Sequence, residues 1–182
     1  MKSLININAR SIPDAIQAAQ QAIADGSQVA FSGGGTDLLQ QLKDGTDLAN
    51  VIINLRNVED TRTIVSSGAD ISVGGLITLT ELAENPLIIS GLTAVAQAAA
   101  SVGTPQIRNV GTLAGNITQR PWCWYYRNGF NCFKAGGDQC FSVNGENGQH
   151  AIFGGGPSYI VHPSDVAPAL VAFNACLLYT SD

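Results

Sequence analysis

The chain has 182 residues, 45% of them hydrophobic and 13% charged, with a formal net charge of −5, so it can build one large domain or two small ones around a real core. The acidic balance and the lack of any Lys/Arg run exclude a nucleic-acid footprint, and the apolar stretches break well short of a membrane span. So few charges also imply a surface partly covered by a partner or a large ligand. The opening "MKSLININARSIPDA" has no long apolar run and no twin arginine, so the expected location is cytoplasmic unless a partner's signal exports the chain.

In chain order, "LININA" (4–9) alternates and is rich in isoleucine, which predicts a short strand. "SIPDAIQAAQQAIADG" predicts a helix: Ser11 can cap it, Asp14 stands three residues on, and Ile12, Ala15, Ile16, Ala19 and Ile23 share a face. Gly26 is placed to end it. "QVAFS" (28–32) is a strand, "TDLLQQLKDG" (36–45) a short helix and "VIINL" (51–55) a buried strand. The opening third is therefore β-α-β-α-β with parallel strands. "RTIVSSGADISVGG" (62–75) reads as a hairpin turning at Gly68-Ala69-Asp70, and Thr78 with Glu81 as a capping box. "PLIISGLTAVAQAAASVG" (86–103) predicts one helix with Ile88, Leu92, Val95, Ala96, Ala99 and Ala100 on its apolar face. The end, "SYIVHPSDVAPALVAFNACL", reads as strand, turn, short helix, strand. A soft boundary lies near residues 56–60, which predicts a small subdomain over 1–57 and a larger one over 58–182. There is no internal repeat.

Two glycine stretches stand out. "FSGGGTDL" (31–38) sits at a strand-to-helix junction, where glycine permits close backbone approach and the helix start offers unpaired N–H groups to a phosphate. It is neither G-x-G-x-x-G nor a P-loop. "RNVGTLAGN" (108–116) repeats the ingredients with Gly111, Thr112, Gly115 and Asn116. Two such loops fit a long diphosphate cofactor better than a single phosphate; the bland alternative is two ordinary loops.

"QRPWCWYYRNGFNCFKAGGDQC" (119–140) holds three of the four cysteines among aromatic residues, spaced Cys123-x8-Cys132-x7-Cys140. A disulfide, a zinc site, an iron–sulfur cluster and plain structural thiols compete. A reducing compartment favours metal over disulfide, and the missing C-x2-C knuckle speaks against a zinc ribbon. Cys176 alternates into an apolar stretch and reads as a core thiol; His150 and His162 read as structural histidines.

"SGGGTDLLQQLKDG", "ISVGGLITLTELAE", "GTPQIRNVGTLAGNI" and "HPSDVAPAL" occur in this order. Together they resemble the FAD-binding, medium subunit of the xanthine-oxidase family of molybdenum hydroxylases, over roughly residues 1–175. "NITQRPWCWYYRN" and the cysteines after it are similar to the branch that holds periplasmic aldehyde oxidoreductase and 4-hydroxybenzoyl-CoA reductase. The resemblance implies an α+β, two-subdomain FAD-binding fold of the p-cresol methylhydroxylase/vanillyl-alcohol oxidase type. It implies FAD held by Ser32, Gly33, Gly34, Gly35 and Thr36, with Asp37 and Leu38 beside them. Ile107, Gly111, Thr112, Gly115 and Asn116 would form the other wall. Asp165 would reach the ribityl or ring edge, or cap the helix after it.

The resemblance also implies a [4Fe–4S] cluster on the loop 119–158, with Cys123, Cys132 and Cys140 as ligands. At the fourth ligand position this chain has Ser158, a poor substitute for thiolate. The options are Ser158 or solvent on one iron, a [3Fe–4S] form, ligation by His150, or no cluster. The implied partners are a molybdenum-cofactor large subunit and a [2Fe–2S] small subunit, with this chain passing electrons to an external acceptor. The alternative is a cluster-binding or interaction subunit without functional flavin. The resembled subunits continue past "CLLYTSD" into another domain, so that domain is expected to be absent here and the chain truncated.

Overall fold

The structure is a computed structural model and describes residues 3–58 and 61–178. Strands β1 (Ile5–Asn8), β2 (Val29–Ser32) and β3 (Val51–Asn54) form a parallel sheet in the order β1-β3-β2. Val51 stands opposite Ile5 on one side and Val29 on the other, so the apolar β3 is central and its first three residues are buried. Helix α1 (Ile12–Ala24) crosses between β1 and β2, capped by the Ser11 side chain, which accepts from the Asp14 amide. Helix α2 (Leu38–Asp44) crosses from β2 to β3 and ends at Gly45 in the left-handed conformation.

The face α1 buries keeps Ala15 and Ala19 of the expected one but not its isoleucines. Ala15, Ala19 and Ala22 pack into the core with Val51, Ile53 and Val58, while Ile12, Ile16 and Ile23 are exposed. Both sets lie on one broad apolar face, and the helix is turned so that its alanine edge meets the sheet. Small side chains let helix and sheet approach more closely than isoleucines would.

A hairpin of β4 (Ile64–Ser67) and β5 (Asp70–Val73) follows, turning at Gly68 and Ala69 with Ser67 opposite Asp70. Helix α3 (Leu79–Glu84) opens with the expected capping box. The single helix expected over 86–103 is two: α4 (Pro86–Gly91), capped by Asn85, and α5 (Thr93–Ser101). The break falls at Leu92, which leaves the helical region at φ −134° and ψ 49°, one residue after Gly91, whose low helix propensity makes an interruption cheap. Ile88, Val95, Ala96 and Ala99 are buried as expected; Ala100 is exposed. They form a second core with Ile77, Leu79, Leu82, Val102, Leu113 and Val166. This core lies under the capping box and the second glycine stretch, which anchors both.

Two short helices flank the second glycine stretch, and residues 109–112 between them are not helical. Thr104 caps α6 (Pro105–Arg108), and Thr112 caps α7 (Leu113–Thr118). Helix α8 (Trp124–Arg127) begins just after Cys123, short 3-10 turns cover Phe133–Ala135 and Phe141–Val143, and α9 (Ala167–Ala172) follows. Among the described residues neither of the two strands expected around α9 forms, and Cys176 is exposed rather than a core thiol. Beside α9 there is no described strand for that segment to pair with, so its apolar alternation has no sheet to act on. Among the described residues no helix is long and apolar enough to cross a membrane.

Candidate functional site

Ser32 ends β2 and Leu38 opens α2, and the residues between them make the first glycine turn. Gly35 has φ +73°, a left-handed conformation that strains any L side chain. A Cβ at Gly34 would run into the Val110 carbonyl, and one at Gly33 would lie 2.8 Å from the Thr112 hydroxyl. The turn is thus pressed backbone to backbone against the second glycine stretch. These two glycines are needed for that packing, so the close approach is made by the chain itself. The turn's donors remain free. None of the amides from Gly33 to Leu38 donates to a backbone acceptor among the described residues. Successive unpaired N–H groups in a turn form a concavity suited to an oxyanion.

The second stretch is more committed. The Gly111 amide donates to the Ile107 carbonyl at 2.7 Å, and the Gly111 carbonyl accepts from Leu79 at 2.9 Å. The Gly115 amide donates to the Thr112 hydroxyl oxygen at 3.1 Å. Gly111, Thr112 and Gly115 therefore serve the starts of α3 and α7. Ile107 is partly exposed, and Thr36 stands close to Gly111. A small cleft of about 70 Å³ opens where the stretches meet, lined by Gly33, Arg56, Arg62, Leu76, Thr78, Asn109, Val110 and Thr112.

Arg56 and Arg62 were not foreseen; their only signal in the sequence is their position beside the expected boundary near residues 56–60. Arg62 pairs with Glu81 at 2.9 Å. Burial works to raise the Glu81 carboxyl, but hydrogen bonds from the Thr78 amide and hydroxyl, with Arg62 beside it, hold it below its ordinary value.

Asn116 is buried, and its Oδ1 accepts from the Ser164 hydroxyl at 2.6 Å. Ser164 Oγ also accepts from the Ala167 amide at 3.0 Å, so Ser164, rather than Asp165, supports the start of α9. Asp165 is exposed. Ser164 was missed because "HPSD" offers two capping side chains in a row, and only the tertiary partner Asn116 decides between them.

The Asp37 carboxylate is engaged by three groups of the chain. Its Oδ1 accepts from Arg127 Nη2 at 2.7 Å, and its Oδ2 accepts from the Arg120 amide at 2.9 Å and from Gln41 Nε2 at 2.8 Å. Both carboxylate oxygens are therefore occupied by the chain.

The cysteine segment is organised by aromatic rings. Tyr125 meets Phe130 edge-on at 5.2 Å and stacks near Phe141 at 6.0 Å; Phe130 meets Phe141 at 5.0 Å. Cys123 Sγ lies 3.3 Å from His150 Nε2, and Cys140 Sγ lies 3.1 Å from the Ser142 hydroxyl. Burial pushes the Cys140 thiol up, but hydrogen bonds from the Ser142 hydroxyl and from the backbone of Tyr159, Ser142 and Val143 leave it below its ordinary value. Cys132 is buried, and Ser158 is half-buried beside Tyr159 in sequence. Cys123 and His150 line a cleft of about 470 Å³ with Trp122, Trp124, Ile160 and His162. Among the described residues, no three His, Cys, Asp or Glu side chains gather into a group able to hold a metal ion. A cubane cluster would need the three sulfurs around one centre.

Residues 7–182 match the family model for the FAD-binding domain in molybdopterin dehydrogenase. The chain belongs to this family. It is 29% identical to the aldehyde oxidoreductase FAD-binding subunit PaoB of Escherichia coli, over 80% of this chain and 46% of that protein. It is 36% identical to the putative xanthine dehydrogenase FAD-binding subunit XdhB of the same species, over 60% of this chain and 36% of the relative. Among solved structures it resembles a chain of quinoline 2-oxidoreductase from Pseudomonas putida, with TM-score 0.58 and 26% identity, over 64% of this chain and 40% of the other. A chain of carbon monoxide dehydrogenase from Hydrogenophaga pseudoflava shares the fold with TM-score 0.59 at 24% identity, over 64% of this chain and 39% of the other. The chain thus spans less than half the length of these relatives. FAD binding is the property by which this family is described.

Proposed function

We propose that this chain is the FAD-holding, electron-transferring part of a molybdenum-hydroxylase complex, working with a molybdenum-cofactor subunit and a [2Fe–2S] subunit. The observation that carries the reading is the run of unpartnered amides from Gly33 to Leu38, braced against Val110 and Thr112. A diphosphate there would receive hydrogen bonds without rearrangement of the turn. Thr36 and Ile107 are open enough to contact the cofactor; Asn116 and Asp165 support or flank the second wall. Bound flavin supplies the redox chemistry, and this chain's residues supply position. The relatives' names, each an FAD-binding subunit of an oxidoreductase, support the same reading.

The finer fold, the p-cresol methylhydroxylase/vanillyl-alcohol oxidase arrangement with subdomains over 1–57 and 58–182, is part of this proposal. Two separate apolar cores support it, one under the parallel sheet and one under α3 and α5. A cluster on Cys123, Cys132, Cys140 and Ser158 stays outside this proposal; the thiol contacts present are Cys123 with His150 and Cys140 with Ser142. Large exposed apolar residues, among them Trp122, Trp124, Ile152 and Phe153, fit a chain that docks on partner subunits.

The test is to co-express the chain with its neighbouring subunits and quantify flavin. Yellow complex with about one FAD per chain is expected; a colourless complex overturns the proposal.

A further inference from the structure

The Asp37–Arg127 contact joins two segments that the sequence treats as separate sites. Asp37 closes the glycine turn and opens α2; Arg127 ends α8, directly after the first cysteine. The pair is largely buried, with 9% of the Arg127 side chain and 18% of the Asp37 side chain exposed. The guanidinium is held from several sides. Its Nε donates to the Pro121 carbonyl at 2.9 Å, its Nη2 also donates to the Arg120 carbonyl at 3.1 Å, and it lies 4.6 Å from the centre of the Trp122 ring. Arg120 returns a bond of its own, its amide donating to Asp37 Oδ2. The Arg127 amide donates to the Cys123 carbonyl at 3.0 Å, so the same knot fixes where Cys123, and hence its contact with His150, sits.

We infer that Arg127 is a positioning residue: through Asp37 it sets the glycine turn, and so couples the cysteine segment to the cofactor's phosphate site. The inference rests on the FAD reading for its second half only. A buried charge whose partner is removed is left uncompensated, so the turn cannot keep its place when Arg127 is replaced. A planar fork holding one carboxylate and two carbonyls cannot be reproduced by an ammonium. Coupling of this kind is reciprocal: what orders the cysteine segment tightens FAD, and FAD orders the segment.

The experiment uses the full chain and the variants Arg127→Met, Arg127→Lys, Asp37→Asn and the Asp37→Asn/Arg127→Met double variant. Amide exchange is read across the contact without ligand, and FAD affinity by fluorescence titration. Arg127→Met should speed exchange at Leu39 and Gln41, and Asp37→Asn should speed it at Arg120 and Arg127. FAD binding should weaken roughly tenfold in Arg127→Met, less in Arg127→Lys, and no further in the double variant than in the worse single one. Unchanged exchange across the contact overturns the coupling. Altered exchange with unchanged FAD affinity reduces the pair to a structural tie and overturns the positioning role. If the unmodified chain binds no FAD, the proposed function falls, and the exchange data alone decide the coupling.

Discussion

A side chain at residue 34 has nowhere to go, because its Cβ would meet the carbonyl of Val110. This contact is where the two glycine stretches touch, and it makes Gly34 a packing requirement before it is a ligand-binding one. Gly34→Ala should cost about 1–3 kcal/mol by forcing the stretches apart and should abolish FAD binding. Gly148, where a Cβ would meet nothing within 4 Å, is the control, and Gly148→Ala should leave both stability and binding unchanged. Denaturant midpoints and FAD titration of the two variants check this.

Ser164 and Asn116 make a buried bond of 2.6 Å that ties α9 to α7. Ser164→Ala removes that bond and the support of the Ala167 amide together, leaving Asn116 Oδ1 buried without its donor. Urea unfolding should show a loss of about 1–3 kcal/mol. Asp165→Ala, at an exposed side chain outside the cap, should change stability by less than about 0.5 kcal/mol.

Glu81 gives the site an acid limit. Its carboxyl is held below the ordinary value by Thr78 and Arg62, against the opposing effect of burial. A group whose folded pKa is depressed contributes stability above its unfolded value, roughly 4.3, and loses it as pH falls through the folded one. The unmodified chain should therefore exceed Glu81→Gln in thermal midpoint at pH 7, with the gap closing below about pH 4. Thr78→Ala, which breaks the capping box, should cost about 1 kcal/mol at neutral pH. Equal gaps at both pH values would contradict the assignment.

The thiols make a separate prediction. Cys123 contacts His150 and Cys140 contacts Ser142, with no shared metal-binding group among the described residues. Chain purified anaerobically should hold FAD without stoichiometric iron. Iron near about four per chain would mean that the segment rearranges around a cubane cluster. Native alkylation should modify exposed Cys176 before buried Cys132, read by mass spectrometry.

Local signals were legible where one segment decides its own structure. The Ser11 cap and the Thr78–Glu81 box follow from side chains that bond within a few residues, and the hairpin turn from a glycine at positive φ, Gly68. The parallel sheet followed from the β-α-β spacing. What the sequence hid depended on tertiary partners. Nothing local says that the alanine edge of α1 meets the sheet, that Ser164 rather than Asp165 supports α9, or that Asp37 faces Arg127 across 90 positions. The two glycine stretches were recognisable as backbone-rich, but the second links two capped helices and its glycine amides are already bonded. In the first, none of the amides from Gly33 to Leu38 has a backbone acceptor among the described residues.

The central claim is that the turn from Gly33 to Leu38 takes the diphosphate of FAD. The most direct measurement is the thermal midpoint of the chain with FAD, ADP and riboflavin, each in turn. FAD at about 100 times its Kd should stabilise by about 2.7 kcal/mol, which is roughly 5–10 °C for a chain of this size. ADP, which carries the diphosphate, should give part of that shift, and riboflavin, which lacks it, little. A folded chain whose midpoint ignores FAD and ADP alike would contradict the account.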